Sequence, residues 1–185
     1  MYLCRNMLKR IYRRLFKKNK EDNFGVNILH DVNQYRGVLW EKIEKFNKLL
    51  KLQQGVVLHH TKEMEDMFPL KHNIENGMYT REIFMPKGSL VSSFIHKQNH
   101  PSFFMSGDMS LLMDTGEVKR VKAPEVIMTE TGTQRIAYMH EDCTWVCVYR
   151  TNAKTIEEAE KEVYTEDYRD LPRFIITKRK ELWQA

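Results

Sequence analysis

Hydrophobic and polar positions change their period partway along the chain, and the change predicts two kinds of structure. From about Asn27 to Leu52, apolar residues recur at steps of three and four, which is the period of an amphipathic helix. Gly37 lowers the helix propensity within this segment, and Gly55 is a suitable residue for the helix to end at. We predict a helix over residues 27–54 that packs on or beside the following domain.

From Met78 onward, short apolar or alternating runs replace the helical period. They include MYTREIF, SLVSSFI, SFFMS, MSLLMD, EVIMTE, QRIAYM and TWVCVYR, separated by turn residues such as Pro-Lys-Gly and Asp-Thr-Gly. About seven or eight short strands with a turn signal about every 8–12 residues are typical of a sandwich or a small barrel. The sequence therefore predicts a mainly β domain over residues 70–152.

A helical pattern returns in residues 153–185. The segment TIEEAEKEVYTEDY has Thr155 as its N-cap and acidic residues in its first turn, which is the pattern of a helix start. The tail that follows, LPRFIITKRKELWQA, is short, basic and partly apolar. It fits either an edge strand or a further helix.

Residues 1–20 hold eight basic residues and no acidic one, so the rest of the chain carries −3 of the total net charge of +5. Leu8, Ile11 and Leu15 recur at helical spacing, which predicts a basic amphipathic helix. Such a helix packs on its own domain, or contacts nucleic acid, an anionic membrane or a protein partner. The basic residues available for that contact are Lys9, Arg10, Arg13, Arg14, Lys17 and Lys18.

The cysteine content and the hydropathy indicate a cytoplasmic location. The three cysteines, Cys4, Cys143 and Cys147, are odd in number and lack a framework spacing, which predicts free thiols in a reducing compartment. No apolar run reaches the roughly 18–20 residues that cross a bilayer. The N-terminus also lacks the apolar core of a secretory signal, so we expect no transmembrane segment and no secretion.

The stretch GSLVSSFIHKQNHPSFFMSG, from Gly88 to Gly107, holds two histidines four residues apart. It resembles the first motif of the cupin superfamily, G(X)5HXH(X)3–4E(X)6G, over its full spacing. Both glycines match and His96 takes the place of the second histidine. Phe94 stands where cupins have the first histidine, and His100 stands where they have the glutamate.

The second cupin motif, G(X)5PXG(X)2H(X)3N, aligns with PEVIMTETGTQRIAYM. Gly132 keeps its residue type. Pro124 and Glu130 stand at the first glycine and the proline, Arg135 stands at the histidine, and Met139 stands at the asparagine. The resemblance therefore preserves the spacing of both motifs and alters most of the ligand positions.

The resemblance implies a cupin-type jelly-roll barrel with an N-terminal α-helical extension and a C-terminal helix. The amino-acid sequence is most similar to those of small cupin proteins encoded by tailed bacteriophages. The similar segments are PLKHNIENGMYTREIFMPKG, IHKQNH, GTQRIAY and HEDCTWVCVYRT. A phage origin would place the protein in the host cytoplasm or in the virion. Because cupins often pair through sheet edges, the resemblance also implies a homodimer.

A pocket follows from the alternation of side chains along the predicted strands. Phe94 and His96 should point into the barrel, and so should Arg135 and Met139. His100 should join them from the next strand. Arginine binds carboxylate or phosphate through forked hydrogen bonds, and barrel mouths are common ligand sites. These five residues are the predicted ligand-binding set.

His96 and His100 are also the candidate ligands of one divalent metal ion, Fe, Mn, Ni or Zn. A catalytic metal usually takes three or more protein ligands, and the two-histidine iron site needs an acid that the aligned positions do not supply. Glu82 and His140 are candidate additional ligands. The alternative is that no metal binds and that the two histidines are polar barrel residues held by hydrogen bonds.

Three functions are compatible with these residues. The first is a binding module whose barrel pocket takes a small anionic ligand or a divalent metal. The second is a metal-dependent enzyme of the dioxygenase or isomerase type. The third is a virion-structural or nucleic-acid-associated protein that acts through residues 1–20. The altered ligand set favours the first, so we expect binding rather than catalysis.

Overall fold

The computed structural model describes residues 2–3, 24–52 and 61–182. Within them, the helices are α1 (Phe24–Asn33), α2 (Leu39–Lys51), α3 (Lys62–Met67), α4 (Ile156–Val163) and α5 (Arg173–Leu182), with a 3-10 turn at Tyr168–Asp170. The first six strands are β1 (Tyr2–Leu3), β2 (Leu70–Glu75), β3 (Met78–Met85), β4 (Leu90–Ser92), β5 (Ile95–His96) and β6 (His100–Ser106). The remaining six are β7 (Asp108–Leu112), β8 (Val118–Lys122), β9 (Glu125–Thr129), β10 (Ile136–Met139), β11 (Cys143–Arg150) and β12 (Tyr164–Thr165).

Ten of these strands form two antiparallel sheets, which we call the first and the second sheet. The first has the order β1-β4-β10-β7-β8 and the second has the order β2-β3-β11-β6-β9. With β5 left aside, the eight strands from β3 to β11 change sheet at every step except from β7 to β8, which are neighbours in the first sheet. Numbered one to eight along the chain, they give the orders 2-7-4-5 and 1-8-3-6, which is the arrangement of a jelly roll. The predicted fold class, a mainly β jelly-roll barrel with N-terminal and C-terminal helices, is confirmed.

Strand β11 shows how the sequence produces the core. Cys143, Trp145, Cys147 and Tyr149 are buried, while the residues between them are partly exposed. This period of two places every second side chain between the sheets. In β10 all four residues are buried, because its inner side chains meet the core and its outer side chains are covered by helices.

Helices α1 and α2 cover the outer face of the first sheet. Their apolar side chains form one cluster with Leu90, Leu112, Ile136 and Tyr138 of the sheet. The predicted single helix over residues 27–54 is therefore two helices in the described part. The break has a local cause, since Gly37 has a φ of 111°, in the left-handed region that interrupts a helix.

The segment after β11 returns across the barrel. Thr155 caps α4 with a complete capping box, as the sequence predicts, and the chain then forms β12. In β12, Tyr164 pairs with His96 and Thr165 with Ile95. The tail continues as α5, where the buried Arg179 bonds to Asp114 at 2.6 Å. This segment thus closes the barrel beside β5.

The predicted basic helix over residues 1–20 lies almost entirely outside the described residues. Tyr2–Leu3 form β1, paired with Leu90 and Val91 of β4, so these two residues are extended rather than helical. The basic residues predicted to contact a partner, together with residues 53–54, are outside the described ranges. No helix in the described part of the chain is long and apolar enough to span a membrane.

Candidate functional site

A cavity of about 100 Å³ lies between the two sheets, next to β5 and β12. Most of its wall is apolar, formed by Ile83, Met85, Val91, Phe94, Met109, Leu111, Ala137 and Trp145. The other lining residues are Arg81, Ser93, His96, Ser102, Arg135, Cys147 and Tyr164. The cavity therefore combines an apolar wall with a few convergent polar groups, which is the usual composition of a small-molecule site.

His96 is held by a row of hydroxyl groups. Its Nδ1 lies 2.9 Å from the hydroxyl of Tyr149, and that hydroxyl donates to Tyr164 at 2.8 Å. Because Tyr149 uses its proton for Tyr164, His96 Nδ1 is the donor to Tyr149. Burial lowers the pKa of His96 well below its usual range, and the nearby His100 and Arg135 lower it further. The ring is therefore neutral, with Nε2 as its acceptor nitrogen.

His100 packs beside His96, with ring centroids 4.7 Å apart, and lies 4.1 Å from the ring of Tyr149. Its Nδ1 donates to the carbonyl oxygen of Gln98 at 3.0 Å, and its buried Nε2 has no hydrogen-bond partner among the residues that the structure describes. Burial lowers the pKa of His100 to about 4, although the bond to Gln98 acts in the opposite direction. Both imidazoles are therefore uncharged near neutral pH.

Arg135 supplies a positive charge to the cavity. Within the described part of the chain, one hydrogen bond leaves its guanidinium, from Nη1 to the hydroxyl of Thr129 at 3.2 Å, and its buried Nε has no partner there. Among the described residues, no carboxylate lies within 4.0 Å of this group. Burial lowers the pKa of Arg135, and Asp114 opposes that shift. An arginine nevertheless stays charged in a protein.

Arg81 is a second cation at the cavity, but a carboxylate accompanies it. Glu160 of α4 lies 3.8 Å from Arg81, and both side chains are largely buried. The guanidinium also lies 5.7 Å from the centre of the Tyr164 ring, within range of a cation–π contact. The charge of Arg81 is thus partly balanced within the protein.

Phe94 and Met139, the other predicted pocket residues, have different positions. Phe94 lines the cavity, with its ring 5.6 Å from that of Tyr164. Met139 faces inward as well, but it is fully buried in the core between the sheets and is not part of the cavity wall. The structure thus brings together Phe94, His96 and Arg135 around one space, with His100 directly behind.

Glu82 and His140, the candidate additional metal ligands, lie outside the barrel. Glu82 follows the inward Arg81, so alternation turns it to the outer face, where it pairs with Lys71 at 2.7 Å. His140 shares the outer side of β10 with Tyr138, and its Nε2 lies 2.8 Å from the hydroxyl of Ser110. The prediction that these two residues complete a metal site is not supported by their positions.

The residues that remain do not fit a resident divalent metal. His96 and His100 provide two acceptor nitrogens, and the described chain has no cluster of three or more His, Cys, Asp or Glu side chains that could hold an ion. The same region holds two guanidinium groups, which carry positive charge and have no lone pair. A catalytic metal site usually takes three protein ligands.

Sequence reasoning missed three residues of the site: Arg81 and Tyr164, which line the cavity, and Tyr149, which holds His96. Arg81 and Tyr149 lie in alternating runs, MYTREIF and TWVCVYR, so counting the period of two would have placed both inside. Tyr164 belongs to a two-residue strand directly after a helix. No local pattern in the sequence marks so short a strand.

Three solved structures illustrate what this chain resembles. An RmlC-like cupin family protein with a double-stranded β-helix fold from Methanocaldococcus jannaschii is 10% identical, with 52% of this chain and 87% of that chain covered and a TM-score of 0.40. The Cupin_2 domain of an XRE family transcriptional regulator from Enterobacter cloacae is 12% identical, with 47% and 99% covered and a TM-score of 0.40. The polyketide cyclase RemF from Streptomyces resistomycificus is 15% identical, with 51% and 77% covered and a TM-score of 0.39.

No family model matches the sequence, and no curated protein does. The fold is therefore assigned from the order of the strands in the two sheets. The relationship to cupins and the phage origin stay predictions.

Proposed function

We propose that this protein is a binding module that takes a small carboxylate into the barrel cavity, where Arg135 pairs with it. The observation that carries the proposal is the Arg135 guanidinium, which borders the cavity and, among the described residues, makes one hydrogen bond with its five N–H donors. A buried charge without a partner is costly. A carboxylate in the cavity would supply that partner with two parallel hydrogen bonds.

The charges around the cavity favour an anion. Glu160 partly balances Arg81. Asp114 bonds to Arg179 at 2.6 Å and acts on Arg135 from a longer distance. Since both histidines are neutral, the cavity keeps a positive excess at Arg135. A bound anion therefore completes the charge balance.

The size and the remaining polar groups limit the ligand further. A volume of about 100 Å³ corresponds to about three water molecules at roughly 30 Å³ each, so the buried part of the ligand has few heavy atoms. His96 lines the same space. Its acceptor atom Nε2 can accept a hydrogen bond from a hydroxyl group of the ligand, including a hydroxyl of a hydrated carbonyl group. Short carboxylates with one further oxygen fit these conditions.

Isothermal titration of the full chain with propionate, lactate and pyruvate tests the proposal. We expect one saturable site for at least one of them, and a loss of affinity on the order of 10- to 100-fold in Arg135→Met, since a hydrogen bond to a charged group contributes about 1.5–3 kcal/mol. Arg120→Met is the matched control, because Arg120 lies on the outer face and pairs with Asp108 at 2.8 Å. Equal binding by both variants, or no binding by the parent, would overturn the proposal.

The stability of Arg135→Met separates a binding role from a structural one. The substitution removes a buried charge that has one hydrogen bond, so the variant should unfold at the same urea concentration as the parent or a higher one. A strongly destabilised variant would instead show that Arg135 supports the fold.

The metal alternative has its own test in elemental analysis. Untagged protein after gel filtration should hold no more metal than a His96→Ala, His100→Ala variant, because two nitrogens beside two guanidinium groups make a weak site. Close to one metal per chain in the parent and none in the variant would favour the metal-dependent enzyme instead.

A homodimer remains a prediction that the second sheet supports. Met105, Val126 and Met128 are more than half exposed on its outer face, and Phe84 is 37% exposed. Large apolar side chains exposed on one face of a sheet are a common feature of association surfaces. Sedimentation of the parent as a dimer, and of Met128→Lys as a monomer, would support association through this face.

The proposed contact of residues 1–20 with nucleic acid, a phage component or another partner rests on their charge. Phosphate contacts by lysine and arginine give binding that weakens steeply with salt. Removal of residues 1–20 should abolish such binding, and its survival would exclude this segment as the contact.

A further inference from the structure

A second concave site lies outside the barrel and shares a wall with the inner cavity. It is a groove of about 380 Å³ between α2 and residues 166–169, and its lining includes Trp40, Asn47 and Tyr168. Ser93 and Phe94 line both this groove and the inner cavity. The two spaces are therefore neighbours, separated at these two residues.

The side chain of Phe94 forms part of this wall at the point where the two spaces meet. Ser93 and Phe94 lie between β4 and β5 and belong to neither strand. Their backbone is fixed, because Ser93 N donates to Arg135 O at 2.9 Å and Gln134 Nε2 donates to Ser93 O at 3.1 Å. The Phe94 ring is half-buried, and it packs at a tilt on Tyr164, with the two ring planes at 33°. Rotation of this ring would join the groove to the cavity without a change in the strands.

The groove has the size and the charge balance of a site for an uncharged group. Its volume falls within the range of about 300–1,000 Å³ that is usual for ligand pockets, which the inner cavity does not reach. Lys48 pairs with Glu44 at 2.6 Å, and Arg169 pairs with Asp167 at 2.7 Å. The remaining charged lining residues are one lysine and one glutamate, so the charges of the groove cancel.

The groove also has an apolar wall. Trp40 and Tyr168 are stacked, with ring centroids 5.0 Å apart and planes at 8°. The indole Nε1 donates to the carbonyl oxygen of Gly132 at 2.9 Å, which fixes the plane of the stack. A rigid aromatic pair beside paired charges favours a tail with carbon–hydrogen surface over a second anion.

We propose that the ligand is a two-part monocarboxylate, with its carboxylate at Arg135 and an uncharged, partly apolar tail that passes Phe94 into the outer groove. This inference rests on the proposed function, because the head of the ligand uses the Arg135 site. Phe94 is the residue that decides how long a tail the site accepts.

A series of straight-chain carboxylates tests this inference, with propionate as the short probe and hexanoate and octanoate as the long ones. In the parent, affinity should increase from propionate to octanoate, by up to about fourfold for each methylene that becomes fully buried. Phe94→Ala should raise the ratio of octanoate affinity to propionate affinity at least tenfold over that of the parent. Phe94→Trp should lower the same ratio, because the larger ring narrows the passage to the groove.

Phe84→Ala is the matched control, because Phe84 is partly exposed on the outer face of the second sheet, away from both spaces. It should change neither probe. If propionate binds through Arg135 but octanoate binds no better in the parent or in Phe94→Ala, the two-part ligand is wrong and the proposed function stands. If no carboxylate binds the parent, both proposals fail.

Discussion

Acidification from pH 7 to pH 5 should destabilise this protein through His100, whose ring is fully buried and neutral. The pKa of His100 is about 4 in the folded protein, against about 6.5 in an unfolded chain. Between these values the unfolded chain binds a proton that the folded chain excludes. The free energy of unfolding is therefore highest above pH 6.5 and decreases as the pH falls toward 4.

The size of the effect follows from the difference in pKa. At about 1.4 kcal/mol for each unit of pKa, His100 contributes about 3 kcal/mol in total, of which about 2 kcal/mol is lost by pH 5. The pKa of His96 is also lowered by burial, so its contribution has the same sign. A loss of this size is a large part of the usual stability of a domain.

Urea denaturation at pH 7, 6 and 5, followed by tryptophan fluorescence, measures this loss. His100→Phe keeps a ring against Tyr149 but cannot take a proton, so its stability should fall by about 2 kcal/mol less than that of the parent over the same range. His30→Gln, at an exposed position of α1, is the control and should follow the parent. Parallel pH curves for the parent and His100→Phe would show that His100 is not the source of the loss of stability.

Three further predictions concern stability and thiol chemistry. Gly107→Ala should cost more than about 2 kcal/mol in urea denaturation, because a Cβ at this φ of 101° would lie 2.4 Å from the carbonyl oxygen of Asp142; a smaller loss would mean that the turn adjusts. Thr155→Ala should cost about 1 kcal/mol and Thr155→Ser much less, since the hydroxyl caps α4; equal losses would exclude the cap as the cause. The thiol of Cys143, whose pKa burial raises to about 11, should react with a disulfide reagent at pH 8 far faster in urea than in the native protein, and rapid native labelling would contradict its burial.

The barrel could be predicted from the sequence because its signals are local and periodic. Runs such as TWVCVYR place alternate side chains inside, and the structure buries Cys143, Trp145, Cys147 and Tyr149 in that order. The spacing from Gly88 to Gly107 also fixes which residues meet at the cavity. Phe94 and His96 line it from this stretch, as the alternation predicts.

Features that depend on distant pairing could not be predicted. The partner of His96 is Tyr149, 53 residues away, and the second hydroxyl belongs to Tyr164 in a strand of two residues. The division of the N-terminal helix needed the backbone angle at Gly37, since a glycine alone lowers helix propensity without ending a helix. Glu82 was a candidate metal ligand because it is a carboxylate. Successive side chains of a strand point to opposite faces, so Glu82 points outward beside the inward Arg81 and pairs with Lys71.

The central claim is that a carboxylate pairs with Arg135 inside the barrel. Nuclear magnetic resonance of the arginine side chains in ¹⁵N-labelled full-length protein tests it most directly, by titration with lactate or pyruvate at constant ionic strength. We expect the Arg135 Nε resonance to move and to saturate with the affinity found by calorimetry, while that of the outward Arg120, paired with Asp108, stays in place. An Arg135 resonance that does not move, or arginine resonances that all move together without saturation, would contradict it.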